Sequence, residues 1–329
     1  MSDQREPAQL LLAMSRMALG YLDENRSPNR KVPGHDFVRL ASVQAIIPTI
    51  AQTAERYYRG ALPEDLLAFL ILLKRENDNR NLSLLDRLLQ IKDALARHGI
   101  RAVALKGAAE LLSPTYPLGS SRYLSDLDIL IAPGDLDATR AILLDTHTPI
   151  PDAPISDGGA QLHHDTPLVH RTDGIFVELH TRLVREDSNA LSASEILSTA
   201  TQHAASKLWI PEDKHRFAHC LAHAVVDDRA VQRGEFRLRD LFDIGCLLQR
   251  NDALDVALLV SSAISPRWRR HALTYLGAIA LAAPSLVALQ QFVTCTKSQK
   301  LLDLLGDPSA RRLLFWWDWG ENYSFRLLT

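Results

Sequence analysis

Leu124-Ser125-Asp126-Leu127-Asp128-Ile129-Leu130-Ile131 is the stretch that decides how this chain of 329 residues is read. Side chains on a strand alternate between faces, so Asp126 and Asp128 point the same way, about 7 Å apart along the backbone. Ser125, Leu127, Ile129 and Ile131 are left to pack against a helical layer on the other face. Two carboxylates this close raise each other's pKa unless a cation intervenes. Mg²⁺ suits them, because it takes carboxylate oxygens together with nucleotide phosphates, and a two-metal site steadies attacking and leaving oxygens alike.

Three further pieces surround that strand. The stretch 175–183 alternates again, with Ile175, Val177, Leu179 and Leu183 on one side and Glu178, His180 and Arg182 on the other. Glu178 beside the aspartate pair completes a three-carboxylate cradle, and His180 is placed to touch a substrate or to orient the glutamate. Upstream, a short strand over 100–105 runs into Lys106-Gly107 and a helix start, where backbone N–H groups and the lysine charge face an anion. Gly119-Ser120-Ser121-Arg122 offers two hydroxyls and a guanidinium for phosphate oxygens immediately before the acidic strand. Singly these are common motifs; their order along the chain is what points to nucleotidyl transfer.

With these residues in view, the chain resembles nucleotidyltransferases of the DNA-polymerase-β-like superfamily whose core reads L-K-G, an Arg, D-I-D-L-L-V and E-L-H. The matching residues are Leu105-Lys106-Gly107, Arg122, Asp126-Leu127-Asp128-Ile129-Leu130-Ile131 and Glu178-Leu179-His180. The likeness extends more faintly to Leu40-Ala41, Ile46-Ile47-Pro48, His219, His223 and the segment Arg239-Asp240-Leu241-Phe242-Asp243-Ile244. It implies a small mixed sheet with helices, Asp126, Asp128 and Glu178 as ligands of Mg²⁺ (or Mn²⁺), and a nucleoside triphosphate such as ATP as donor. The wider superfamily carries Gly-Ser at the helix start, whereas Ala108 follows Lys106-Gly107 here. Two candidates therefore stand for holding the terminal phosphates: Lys106, or Ser120 and Ser121.

The flanks read as helices. Helical spacing covers 9–22 and 37–58, with Pro48 breaking or bending the second, and another helix begins over 66–73. Ser83 fits the N-cap of a further helix closed by His98-Gly99. Asp135 is placed to cap a helix over 136–144, and the proline- and glycine-rich stretch 147–160 reads as an exposed loop. Helices then follow over 193–205, 211–228, 238–249, 253–262 and 266–281. The expected architecture is α+β, a small mixed sheet over 100–185 between helical regions over 1–99 and 186–329.

Hydrophobic residues make up 47% and charged ones 23%, enough for a large buried core. A formal charge of −2 disfavours a long nucleic acid as partner and favours a small-molecule, sugar or peptide acceptor. Cys220, Cys246 and Cys295 form no metal-binding or disulfide pattern. No membrane span or signal segment stands out, so a soluble cytoplasmic protein is expected. His219 and His223 share a helical face but lack a third zinc ligand, so packing or substrate contact is preferred for them. His163-His164-Asp165 is read as surface. Asp227-Asp228-Arg229, Arg237, Arg239 and Asp240 are read as solvated helix faces and local ion pairs of small value, with Asp243 the one acid to check for contact with the cleft. Trp268 among three arginines and the cluster Phe315-Trp316-Trp317-Asp318-Trp319 are read as packing elements.

The functional expectation is transfer of a nucleoside monophosphate to a hydroxyl. Two rivals stand beside it. A metal-dependent glycosyltransferase also uses D-x-D and releases a nucleoside diphosphate instead of pyrophosphate. A non-catalytic nucleotide- or peptide-binding module on the same fold has no need of three unpaired carboxylates.

Overall fold

In the computed structural model, which describes residues 5–21, 34–150, 165–185, 191–293 and 296–305, the acidic segment is a central strand of a mixed sheet. The strands are β1 (Val103–Ala104), β2 (Asp126–Leu130), β3 (His147–Pro149), β4 (Leu168–His170), β5 (Phe176–His180), β6 (Thr201–Gln202) and β7 (Trp209–Ile210). Their order is β3-β4-β5-β2-β1-β7-β6. β2 and β5 run parallel, as do β1 and β7, and the other pairs are antiparallel.

The alternation fixes which face is which. Leu127, Ile129, Val177 and Leu179 are buried with Leu84, Leu88, Ile91 and Leu95 of α4 (Glu64–Ala96), Ala108 and Leu112 of α5 (Lys106–Leu112) and Leu143 of α6 (Leu136–Leu143). Each such Leu or Ile contributes about 1.5–3 kcal/mol by leaving water. A one-residue slip of β2 would put its acids into this layer and its leucine and isoleucine outside, so register and site are specified together.

A second apolar core joins helices from both ends of the chain. Leu11 and Met14 of α1 (Arg5–Ala18), Phe37 of α2 (Gly34–Val43) and Ile50 of α3 (Ile47–Tyr57) share it with the later helices. Those are α7 (Ala193–Thr199), α8 (Asp213–Ala222), α9 (Ala230–Arg233), α10 (Leu238–Arg250), α11 (Val256–Ala263), α12 (Pro266–Ala282) and α13 (Thr296–Asp303). The fold is thus α+β, a mixed sheet flanked by helices. Two of its strands, β6 and β7, come from beyond residue 185, so the sheet does not end where the sequence reading placed its boundary.

Several local expectations are corrected. The two helices expected around 66–73 and 84–98 are one helix, α4, because the intervening residues 74–83, polar apart from Leu82, contain neither Gly nor Pro. Ser83 caps nothing; its hydroxyl donates to Asn79 O one turn back. Asp135 ends a 3₁₀ turn and its side chain makes no capping bond. His147 belongs to a strand and is 1% exposed, not in a loop, and 151–164 lie outside the described residues. Pro48 sits in the first turn of α3, where a missing N–H costs nothing, and Gly99 takes the left-handed φ of +71° expected of it. Among the described residues no helix is long and apolar enough to cross a membrane.

Candidate active site

Parallel pairing of β2 with β5 sets Asp128 opposite Glu178 and Leu130 opposite His180, all on the face turned away from α4. On the other side of β2, Leu105 N donates to Asp128 O at 3.0 Å and brings the end of β1 alongside. The chain then turns at Lys106 with φ of +43°, a conformation that a residue bearing Cβ holds at a cost of about 1–3 kcal/mol. That turn aims the ammonium at the acids: Lys106 Nζ donates to Asp128 Oδ1 at 2.8 Å. The same oxygen lies 2.7 Å from His180 Nε2, which in turn is 3.7 Å from Glu178 Oε2.

The ligating atoms of Asp128, Glu178 and His180 all fall within 4.8 Å of one another. Among the described residues this is the one group of three with such spacing. Asp128 and His180 are buried and Glu178 is half-buried, so the group opens to solvent on the glutamate side. Asp126 stands at the rim, outside that spacing, and its carboxylate accepts from Ser125 Oγ at 2.9 Å.

The charges fall into two classes. Burial works against an ionised Asp128, but the adjoining Lys106 ammonium and the His180 hydrogen bond outweigh it, and the carboxyl is held well below the usual range. Burial also opposes the charge on Lys106, yet Asp128 holds its pKa above the ordinary lysine value. Asp126 has no such partner; burial and then the charges of Asp128 and Glu178 push it up. Three carboxylates around a single ammonium leave the hollow with excess negative charge. A divalent cation fits this donor set, and its charge answers the repulsion that raises Asp126.

The segment 113–122 is arranged differently. Ser120 Oγ donates to Thr49 O at 2.8 Å, Asn77 Nδ2 donates to Ser121 Oγ at 3.2 Å, and Thr49 Oγ1 donates to Ser121 O at 3.0 Å. Arg122 donates from Nε and Nη2 to the two oxygens of Asp243, at 2.8 and 2.9 Å, and Tyr116 Oη adds a third bond at 2.7 Å. The groups expected to hold phosphate thus tie the segment to α3, α4 and α10 instead. Asp243 meets Arg122 at the wall of a small cavity that Lys106 also lines. Gly107 is required here for a steric reason: a Cβ on it would lie 2.6 Å from Arg122 Nη1 and from Leu124 Cγ.

His223 opens a π-helical turn, His223–Asp227, that extends α8. Its Nδ1 is 3.2 Å from Asp228 Oδ2, a carboxylate that Arg237 also contacts. The solvated faces expected in this stretch are a correction as well. Asp227 is buried, accepts from Arg185 N at 3.0 Å, and has its pKa raised by burial. Asp240 is buried too and accepts from Tyr275 Oη at 2.7 Å. His219 is buried with Nε2 3.1 Å from Leu183 O, a packing role, and Trp268 is buried as read. Cys220 and Cys246 are free thiols. His163, His164, Cys295 and 315–319 lie outside the described residues.

Sequence reasoning missed Asn77 and Asn81, whose amides both donate to Arg122 O and hold the approach to β2 against α4. Their contacts span more than forty residues, and two asparagines in a polar stretch of helix carry no local signal. It also missed that Lys106 pairs with Asp128.

Adjacent parallel strands thus present D-x-D and E-x-H on one face of the sheet, beside a lysine turn. The chain belongs to a family described as uncharacterised nucleotidyltransferase, whose model matches residues 31–283 and so spans every residue of the site. No curated protein matches the chain.

Proposed function

We propose that the protein is a Mg²⁺-dependent nucleotidyltransferase that moves a nucleoside monophosphate from an NTP to a hydroxyl on a small molecule, sugar or peptide. The observation that carries this is the pairing of Asp128 with Glu178 across two parallel strands, with Asp126 on the same face and Lys106 at its edge. Asp128, Glu178 and Asp126 would hold a divalent cation, which would supply neutralisation of charge on the phosphate oxygens. Lys106 binds the phosphates, exchanging its contact with Asp128 for theirs. Glu178, the most open of the paired acids, orients the acceptor hydroxyl and draws on its proton. The hydroxyl oxygen attacks the α-phosphorus, the bond from that phosphorus to the β-bridging oxygen breaks, and pyrophosphate leaves. His180 orients Asp128, and His223 lies at the margin of the acceptor side.

A second reading of the ligand set has its own support. Asp128, Glu178 and His180 are the atoms grouped within 4.8 Å, so the imidazole replaces Asp126 as third donor in that arrangement. An imidazole nitrogen in the set shifts its preference away from Mg²⁺ and toward divalent transition metals.

The test is product analysis with the four NTPs, Mg²⁺ or Mn²⁺, and a panel of hydroxyl acceptors. Metal-dependent pyrophosphate release that disappears in Asp128→Asn is the expected result. Release of nucleoside diphosphate from sugar nucleotides would replace this reading with glycosyl transfer.

A further inference from the structure

We infer that Arg122 and Asp243 form a strut that positions the Lys106-Gly107 turn for the nucleotide without touching it. The inference rests on the nucleotidyl-transfer reading for what the turn is positioned to do. Its grounds are geometric. The Arg122 guanidinium crosses directly over Gly107, so close that a Cβ there would clash with Nη1 at 2.6 Å. Two of its other nitrogens are engaged by both oxygens of Asp243, and the two side chains are only 10% and 11% exposed. An arginine held bidentately in this way is not available to a phosphate unless a buried carboxylate loses its partner.

The far end of the strut is firmly seated. Asp243 lies on α10 between the buried Leu241, Phe242 and Ile244, and Tyr116, which also donates to Asp243, stacks on Phe242 with ring centroids 5.8 Å apart. The near end bears on a strained position. Lys106 keeps a φ of +43°, and such a conformation persists only where its surroundings hold it. Leu105, Lys106, Arg122 and Asp243 all line one small cavity beside the turn, so the guanidinium, its carboxylate partner and the lysine share one wall. The lysine is thereby aimed at Asp128 from β1 on one side and from α10 on the other. Arg122 and Asp243 are positioning residues.

The experiment uses the full chain and the variants Arg122→Gln, Asp243→Asn, the double variant and Tyr116→Phe. Two quantities are read: KM and kcat for each of ATP, CTP, GTP and UTP with Mg²⁺, and hydrogen–deuterium exchange of the backbone over 105–112. Both single variants are expected to raise KM about tenfold with kcat nearly kept, and the double variant to be no worse than either, because the residues act as one unit. Exchange over 105–112 is expected to quicken while β2 and β5 stay protected. Tyr116→Phe, which removes one of three bonds, keeps the fold and raises KM about fivefold. If the stronger variants fail to fold, this one decides.

A normal KM in Asp243→Asn beside a raised one in Arg122→Gln overturns the inference, since Arg122 then meets the phosphates itself. Unchanged exchange over 105–112 overturns it as well. If the wild type turns over no NTP but exchange still quickens locally, the strut stands and the nucleotidyl reading falls.

Discussion

Strand β2 and the segment 113–122 that leads into it are both rich in polar side chains, yet they use them in opposite ways. In 113–122 nearly every polar group has a partner elsewhere in the fold: Ser120 and Ser121 on α3 and α4, Tyr116 and Arg122 on Asp243, and Thr115 on Glu110. On β2 and β5 the acids face one another and one lysine, with charge left over. A polar group satisfied by the fold serves the fold, and a polar group kept near its like at electrostatic cost marks where a ligand belongs.

The largest effect should come from the unsatisfied side of that contrast. Asp128→Asn and Glu178→Gln are each expected to lower pyrophosphate release about 10³-fold, some 4 kcal/mol of barrier, with circular dichroism unchanged. Turnover within tenfold of wild type would erase the distinction.

The satisfied side is expected to answer in stability. Glu110 accepts from Thr115 N, Thr115 Oγ1 and Tyr116 N at 2.6, 2.8 and 2.9 Å, and pairs with the buried Arg216 at 2.9 Å. Glu110→Ala takes away the guanidinium's nearest acid, leaving it Asp213 at 3.7 Å and Ser113 O, and is expected to cost about 3 kcal/mol in urea unfolding. A loss below about 1 kcal/mol would show that the segment is not anchored as described.

His147 sharpens the comparison from a third direction, as a buried group whose Nδ1 meets Leu143 O while its Nε2 has no partner among the described residues. Burial pulls its pKa down to about 4 against an ordinary 6.5. The folded state therefore binds fewer protons between those values, so stability is full above pH 6.5 and falls as pH drops toward 4. The loss approaches about 3 kcal/mol. The urea midpoint followed from pH 7 to pH 4 should fall more steeply for the wild type than for His147→Gln; equal slopes would contradict it.

The smallest effect is expected at the serines. Ser120→Ala should cost about 1 kcal/mol of stability, the worth of one hydrogen bond, and leave NTP affinity within twofold. A large loss of nucleotide affinity with stability intact would return Ser120 to the phosphate site and weaken the contrast.

What was legible in the sequence follows from range. Period-two alternation is a local property, so β2, β5 and the faces of their acids could be read directly, and helical spacing gave α8, α10, α11 and α12. The helix expected over 193–205 instead stops at Thr199 before β6, and α9 and α13 went unread. Strands of two or three residues such as β4, β6 and β7 have no room to alternate and owe their existence to neighbours in the sheet. The destinations of Arg122, Glu110 and Asp243 lie over a hundred residues away, so a guanidinium near a serine pair read as a phosphate contact. Lys106 and Gly107 were visible as a turn; the reason for the glycine was not, because Arg122 supplies it.

The most direct test of the central claim is anomalous scattering from crystals soaked with Mn²⁺ and a non-hydrolysable NTP. A peak is expected about 2.0–2.6 Å from carboxylate oxygens of both Asp128 and Glu178, with Lys106 turned from Asp128 toward phosphate oxygens. Nucleotide bound elsewhere, or bound here with the Lys106–Asp128 pair intact and no peak between the two strands, would contradict it.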